Sequence, residues 1–127
     1  MTTYARQLDQ LIDDTLDASS FRHINHIGVA FEALKREGFF DAMATIAKDI
    51  TNAAKRAGAA DKFNATITMA YMSEIAERME AHDYLDADSF IEANPDLTSG
   101  AILARYSDRR AVSAQARRIG LLPDLAV

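Results

Sequence analysis

The chain has 127 residues, 49% apolar and 26% charged, with a formal net charge of −5; these proportions suit one folded domain over residues 1–127 and exclude a disordered chain. No run approaches the roughly 18–20 apolar residues of a membrane span, and no charged leader followed by an apolar stretch opens the sequence, so the expected location is cytoplasmic. The lack of cysteine excludes disulfide scaffolds, thiolate zinc sites, iron–sulfur clusters and cysteine nucleophiles together.

Alanine is abundant and valine scarce, and proline occurs only at Pro95 and Pro123, a usage that favours helix over sheet. At about 100° per residue, the segment from Thr3 to Asp17 places Leu8, Leu11, Ile12 and Leu16 on one side and Arg6, Asp9, Asp13 and Asp17 opposite. Ser19 or Ser20 is the expected cap of a second helix that ends at Gly38, with Ile27, Ala30, Phe31 and Leu34 on its apolar side. A third helix runs from a cap at Asp41 to Gly58, its stripe formed by Met43, Ile46, Ala47, Ile50 and Ala54. The fourth starts near Phe63 or Asn64 and reaches about Ala81; His82 then stands at its end, where a partly charged imidazole suits the helix dipole. Asp88 or Ser89 caps a fifth piece stopped by Asn94-Pro95, and Ser99 and Ser107 cap two more short helices before a Leu121-Leu122-Pro123 tail. The expected fold is therefore all-α: a compact bundle of four main helices plus short C-terminal helices.

Polar residues interrupt the apolar pattern on two of these helices, and such exceptions are where function is most often found. On the second helix His23 falls in line with Ile27, Ala30 and Leu34, and His26 follows one turn later. On the fourth, Asn64, Thr68 and Tyr71 form a row at i, i+4 and i+7 along the edge of a Met72, Ile75 and Met79 face. Three readings are open. His23 is a core residue satisfied by Thr68, Tyr71 or a backbone carbonyl; or the two histidines line a small-molecule pocket as acid, base or orienting donor; or they chelate a metal from i and i+3. No Glu-x-x-His accompanies them, and Glu74, Glu77 and Glu80 fall on the wet side, so the carboxylates of a di-iron bundle are missing. Phosphate-cradling glycine loops, Gly-x-Ser-x-Gly, His-Glu-x-x-His and calcium loops are also absent from the sequence. Met43, Met69, Met72 and Met79 read as core filler.

Charge is unevenly spread. Residues 1–99 carry 9 basic and 17 acidic groups, whereas residues 100–127 carry 5 basic and 2 acidic groups. The acidic body argues against non-specific nucleic-acid binding. Arg105, Arg109, Arg110, Arg117 and Arg118 supply guanidinium forks that either pair with that body or hold a carboxylate or phosphate.

The run Phe21-Arg22-His23-Ile24-Asn25-His26-Ile27-Gly28-Val29-Ala30, with Thr66-Ile67-Thr68-Met69-Ala70-Tyr71 and Asn94-Pro95-Asp96-Leu97, resembles a pattern that recurs in small bacterial all-helical proteins. The ending Arg105-Tyr106-Ser107, Ser113, Ala116-Arg117 and Pro123-Asp124 resembles the same group, so the resemblance covers about residues 20–125. No activity attaches to that group. The resemblance implies a histidine where this chain carries Asn64, a substitution that weakens a metal role. It also implies that Arg105, Tyr106 and Arg117 join His23, His26, Asn64, Thr68 and Tyr71 in one site.

The leading expectation is a small-molecule-binding helical protein with a histidine-lined pocket, acting without a cofactor as an acid–base enzyme on an anionic organic metabolite. His23 and His26 would be the catalytic pair; Asn64, Thr68, Tyr71, Arg105, Tyr106 and Arg117 would bind the ligand. The alternative is a non-catalytic homodimeric interaction module whose tail, Leu121, Leu122, Leu125 and Val127, docks on a neighbour. A histidine-based metal-binding protein is the third reading. Neither nucleic acid nor membrane is an expected partner.

Overall fold

The computed structural model describes residues 2–125, and in these the chain is all-α, with no strand. Helix α1 spans Thr3–Ile12, α2 His23–Arg36, α3 Phe39–Arg56 and α4 Ala65–Ala81. Three shorter helices follow: α5 at Ala87–Ala93, α6 at Asp108–Ala111 and α7 at Ala114–Arg118.

Helix α2 is the centre of the structure. It packs against α1, α3, α4 and α5, so seven consecutive residues, Ile27 to Ala33, are buried. All but Glu32 are apolar, so the expected one-sided stripe widens to most of the circumference, as a helix enclosed by neighbours requires. Close approach of α1 is possible because residue 28 is glycine: a Cβ there would collide with the base of the Tyr4 ring. On another side Phe31 lies 5.1 Å from Phe90 of α5, centroid to centroid, and Phe90 meets the Tyr84 ring edge-on at 4.9 Å. Aromatic pairs at such separations contribute roughly 0.5–1.5 kcal/mol beyond their burial. The core formed in this way runs from Leu8 to Leu97.

Several helix boundaries differ from the sequence expectation. Helix α1 stops at Ile12, not Asp17, because three acidic groups crowd its C-terminal end, where the helix dipole disfavours them. Asp14 adopts a left-handed φ of 60° as the chain turns away. Ile12 is 48% exposed, while Leu16 enters the core from the loop. Ser19 and Ser20 do not cap α2; they form a 3-10 turn whose own cap is Asp17, with Oδ1 accepting the Ser19 N–H at 3.0 Å. Helix α2 instead begins at His23, where the Asn25 side chain accepts the Arg22 N–H at 2.9 Å. Gly38 occupies the N-cap of α3, leaving Asp41 in the first turn, and Asp86 rather than Asp88 or Ser89 caps α5. Gly100, with φ of 78°, takes the position assigned to Ser99 ahead of a 3-10 turn at Ala101–Arg105. Ser107 caps α6 as expected, and Ser113 caps α7.

The C-terminal section is tied to α4 from behind. The buried Thr66 hydroxyl donates to the Ile119 carbonyl at 2.7 Å and accepts the Leu121 N–H at 2.9 Å. Tyr106 adds a bond from its hydroxyl to the Leu121 carbonyl at 2.9 Å. Leu121 therefore belongs to its own fold rather than to a neighbour. Val127 lies outside the described residues. No helix among the described residues is long and apolar enough to cross a membrane.

The contact between Gly28 and Tyr4 gives a direct test of α2 as the centre. Gly28→Ala should destabilise the fold by about 2 kcal/mol through overpacking, lowering the thermal midpoint by roughly 5–10 °C. An unchanged midpoint in a calorimetric scan would contradict the packing.

Candidate functional site

Two elements bring the polar exceptions together. The first turn of α2 carries His23 and His26, and the first two turns of α4 carry Thr68 and Tyr71, with Asn64 at the N-cap. Because α2 and α4 pack against each other, all five side chains line one hollow of about 230 Å3. Its remaining walls are largely aliphatic, from Ile27, Ile46, Ile50, Ile67 and Ile75.

The five polar side chains are not equivalent. Asn64 is committed to structure: its Oδ1 accepts the Ile67 N–H at 2.9 Å, and its Nδ2 donates to the Ala111 carbonyl at 2.7 Å. His23 stands at the first helical position and is largely exposed, because α2 starts there and not earlier. Its Nε2 lies 2.9 Å from the Leu97 carbonyl oxygen. A carbonyl only accepts, so Nε2 carries the proton and Nδ1 is the free acceptor of the neutral ring. The Tyr71 ring meets His23 edge-on at 5.1 Å. Among the alternatives for His23, a backbone carbonyl is the partner the ring finds.

The strap that presents this carbonyl is itself anchored. Arg78 of α4 grips Asp96 through two parallel bonds of 2.8 and 2.6 Å, and also reaches Glu74 at 3.0 Å and Asn94 at 3.1 Å. Asn94 donates to the Phe90 carbonyl at 2.7 Å. The Arg78 hydrogen bond holds the Asp96 carboxyl below its ordinary value. Such forked pairs fix geometry well even where solvent limits their energy.

His26, Thr68 and Tyr71 differ from the other two. Among the described residues none of their side-chain polar atoms has a hydrogen-bond partner, yet all three line the hollow. His26 is half-buried and packs against the Phe21 ring at 4.5 Å. Burial, with a smaller contribution from the neighbouring His23, pushes its imidazole down to about 4, so the ring is neutral at physiological pH. Burial also raises the Tyr71 phenol, which stays protonated and able to donate.

The C-terminal residues assigned to this site by resemblance sit elsewhere. Neither Arg105, Tyr106 nor Arg117 is among the lining residues. The Arg105 carbonyl accepts the Leu125 N–H, the Tyr106 hydroxyl is used on Leu121, and the Arg117 guanidinium donates to the Asp61 carbonyl. The cation at the hollow is instead Lys62, in the 3-10 turn before α4. Lys62 and the adjacent Phe63 carry no helical periodicity in the sequence, so a wheel does not find them. Among the described residues no three histidine or carboxylate side chains gather closely enough to hold a metal ion.

Two further hollows adjoin the first. One, of about 350 Å3, shares His26, Ile50, Lys62 and Phe63 with it and extends between α1 and α3. The other is an open groove on the far side of Phe63 and Thr68, bordered by Phe40 and Arg118. The chain matches no protein-family model, and neither curated proteins nor solved structures yield a significant match.

The neutrality of His26 generates a pH dependence. An unfolded histidine takes up a proton near 6.5, whereas the folded ring resists protonation to about 4. In that window the unfolded chain binds more protons, so stability falls as the pH drops from 6.5 to 4. The expected loss is on the order of 1–2 kcal/mol, discounted for the ring's partial contact with water. Urea denaturation across that range should show the loss, and His26→Phe should flatten it; identical curves for both proteins would refute the assignment.

Proposed function

We propose that the protein binds a small organic molecule in the hollow between α2 and α4, and that proton transfer to or from that molecule is the chemistry the site serves. The observation that carries this reading is the convergence of three unpartnered polar groups on one largely apolar cavity. The imidazole of His26, the hydroxyl of Thr68 and the phenol of Tyr71 line it together. No buried side-chain polar atom among the described residues lacks a partner, so these three groups reach water in the hollow. A ligand hydroxyl or carbonyl can take the place of that water, and a few convergent polar groups in apolar walls is the general form of a small-molecule site.

Within this reading the roles divide by hydrogen bonding. His26 offers a neutral ring with no protein partner, suited to accept a hydrogen bond from a bound hydroxyl; the burial that keeps it neutral also lowers its basicity. Tyr71 donates to a ligand oxygen. His23, its tautomer set by the Leu97 carbonyl, keeps Nδ1 free as a second acceptor. Positioned acid–base groups of this kind contribute roughly 10²–10⁴-fold to a proton-transfer step.

Phenol is a suitable probe, because it has an apolar ring and a single hydroxyl. NMR titration should give saturable shifts concentrated on His26, Thr68 and Tyr71. The double variant Thr68→Val, Tyr71→Phe should weaken binding about tenfold, or ~1.4 kcal/mol. Shifts scattered over the surface, or none at all, would count against a ligand site here.

A second reading, a homodimeric module without catalysis, is favoured by exposed apolar side chains. Phe40 is 83% exposed and Leu122 is 73% exposed. If copies pair through these residues, sedimentation velocity should show a dimer that Phe40→Ser with Leu122→Ser converts to monomer. A monomeric parent chain at high concentration would dispose of this reading.

A further inference from the structure

The 230 Å3 hollow is smaller than the roughly 300–1,000 Å3 of most small-molecule sites. Its neighbour of about 350 Å3 adjoins it: His26, Ile50, Lys62 and Phe63 border both. Taken as one space they fall well inside the usual range. The two ends differ in chemistry. The α2–α4 end holds the hydroxyls and imidazoles, whereas the α1–α3 end is walled by Leu11, Leu16, Phe21 and alanines of α3 and the loop after it. Alanine at 53, 54 and 57 is what leaves room there, since a longer side chain at any of them would occupy the hollow.

Charge narrows the occupant further. The protein carries a net −5, yet among the described residues no carboxylate lines either hollow. The one formal charge in both linings is the Lys62 ammonium, on their shared border and exposed to water. An ion held at such a border keeps part of its hydration, whereas an apolar body gains from leaving water.

We propose that the joined space takes a medium-chain monocarboxylate, its hydrocarbon chain in the alanine-walled hollow and its carboxylate at Lys62. This rests on the ligand-binding reading above and names the class of ligand. The chain's first carbons then lie at the shared border beside His26, Ile50 and Phe63, placing acidic positions near the carboxyl end beside the neutral imidazole, with Thr68 and Tyr71 across the first hollow. A single cation with no second positive side chain in the lining favours one negative charge over the two of a phosphate monoester.

Isothermal titration calorimetry with decanoate tests the proposal, with 1-decanol as the uncharged counterpart and phenol as a control for the first hollow alone. Decanoate should bind at one site, at least tenfold more tightly than 1-decanol. Lys62→Met, which keeps the side-chain length, should bring the two ligands to equal affinity. Ala54→Trp should abolish decanoate binding and leave phenol binding unchanged; Ala57→Phe, at the exposed end of α3, serves the same purpose if the tryptophan variant does not fold. In the unmodified protein, Overhauser contacts should link decanoate methylenes to the Ala54 and Ala57 methyls. Equal binding of decanoate and decanol to the parent chain, or decanoate binding that survives a folded blocking variant, overturns the proposal. In the parent chain, no decanoate binding with phenol still bound would overturn it while leaving the first reading intact; failure of both ligands there would overturn that reading too.

Discussion

Everything in this structure follows from one helix being enclosed on every side. Helix α2 touches α1, α3, α4 and α5, and its middle seven residues are buried. An enclosed helix bears a cost for each polar side chain in its middle, and Glu32 alone stands there. His23 and His26 stand in its first turn, where the enclosing helices diverge and leave the α2–α4 hollow. The same enclosure demands glycine at 28, where the Tyr4 ring occupies the space of a side chain. Core and site are two ends of one packing problem.

The site is supported from both of its long sides. On one, the Arg78–Asp96 fork and Asn94 hold the Asn94–Leu97 strap, and that strap sets the His23 tautomer. On the other, α4 presents Thr68 and Tyr71 to the hollow while its opposite face grips the C-terminal segment through Thr66. Neither support is a large energy source, since surface ion pairs contribute little. Their effect is geometric: they limit how far the rings and the carbonyl can drift apart.

Much of this could be read from the sequence, for definite reasons. The four long helices appear because their apolar residues recur at helical spacing, and Asn94-Pro95 ends α5 where proline must. The row Asn64, Thr68, Tyr71 does line the hollow, since i, i+4 and i+7 share a face whatever surrounds the helix. The caps of α2, α3 and α5 were not legible, because serine and aspartate are abundant near each start and only tertiary packing selects among them. His23 is more exposed than a wheel suggests, because the wheel continues a helix past its actual beginning. Lys62 and Phe63 border the cavity from a 3-10 turn, where no periodicity marks them. Arg105, Tyr106 and Arg117 show the limit of pattern resemblance: recurrence of a residue does not say which surface it serves.

Thr66 carries a consequence for how the molecule breathes. Helices α6 and α7 span only four and five residues, and the segment beyond them reaches the core mainly through Leu121. Short helices of this kind open at far lower free energy than a buried core. By that rule the C-terminal section is the first part to open while α2 stays enclosed, and opening would strip the Thr66 hydroxyl of both its partners. Since that hydroxyl sits two residues from Thr68 on the opposite face of α4, the molecule has two tiers of order: a lasting scaffold, and a looser brace behind the polar wall of the hollow.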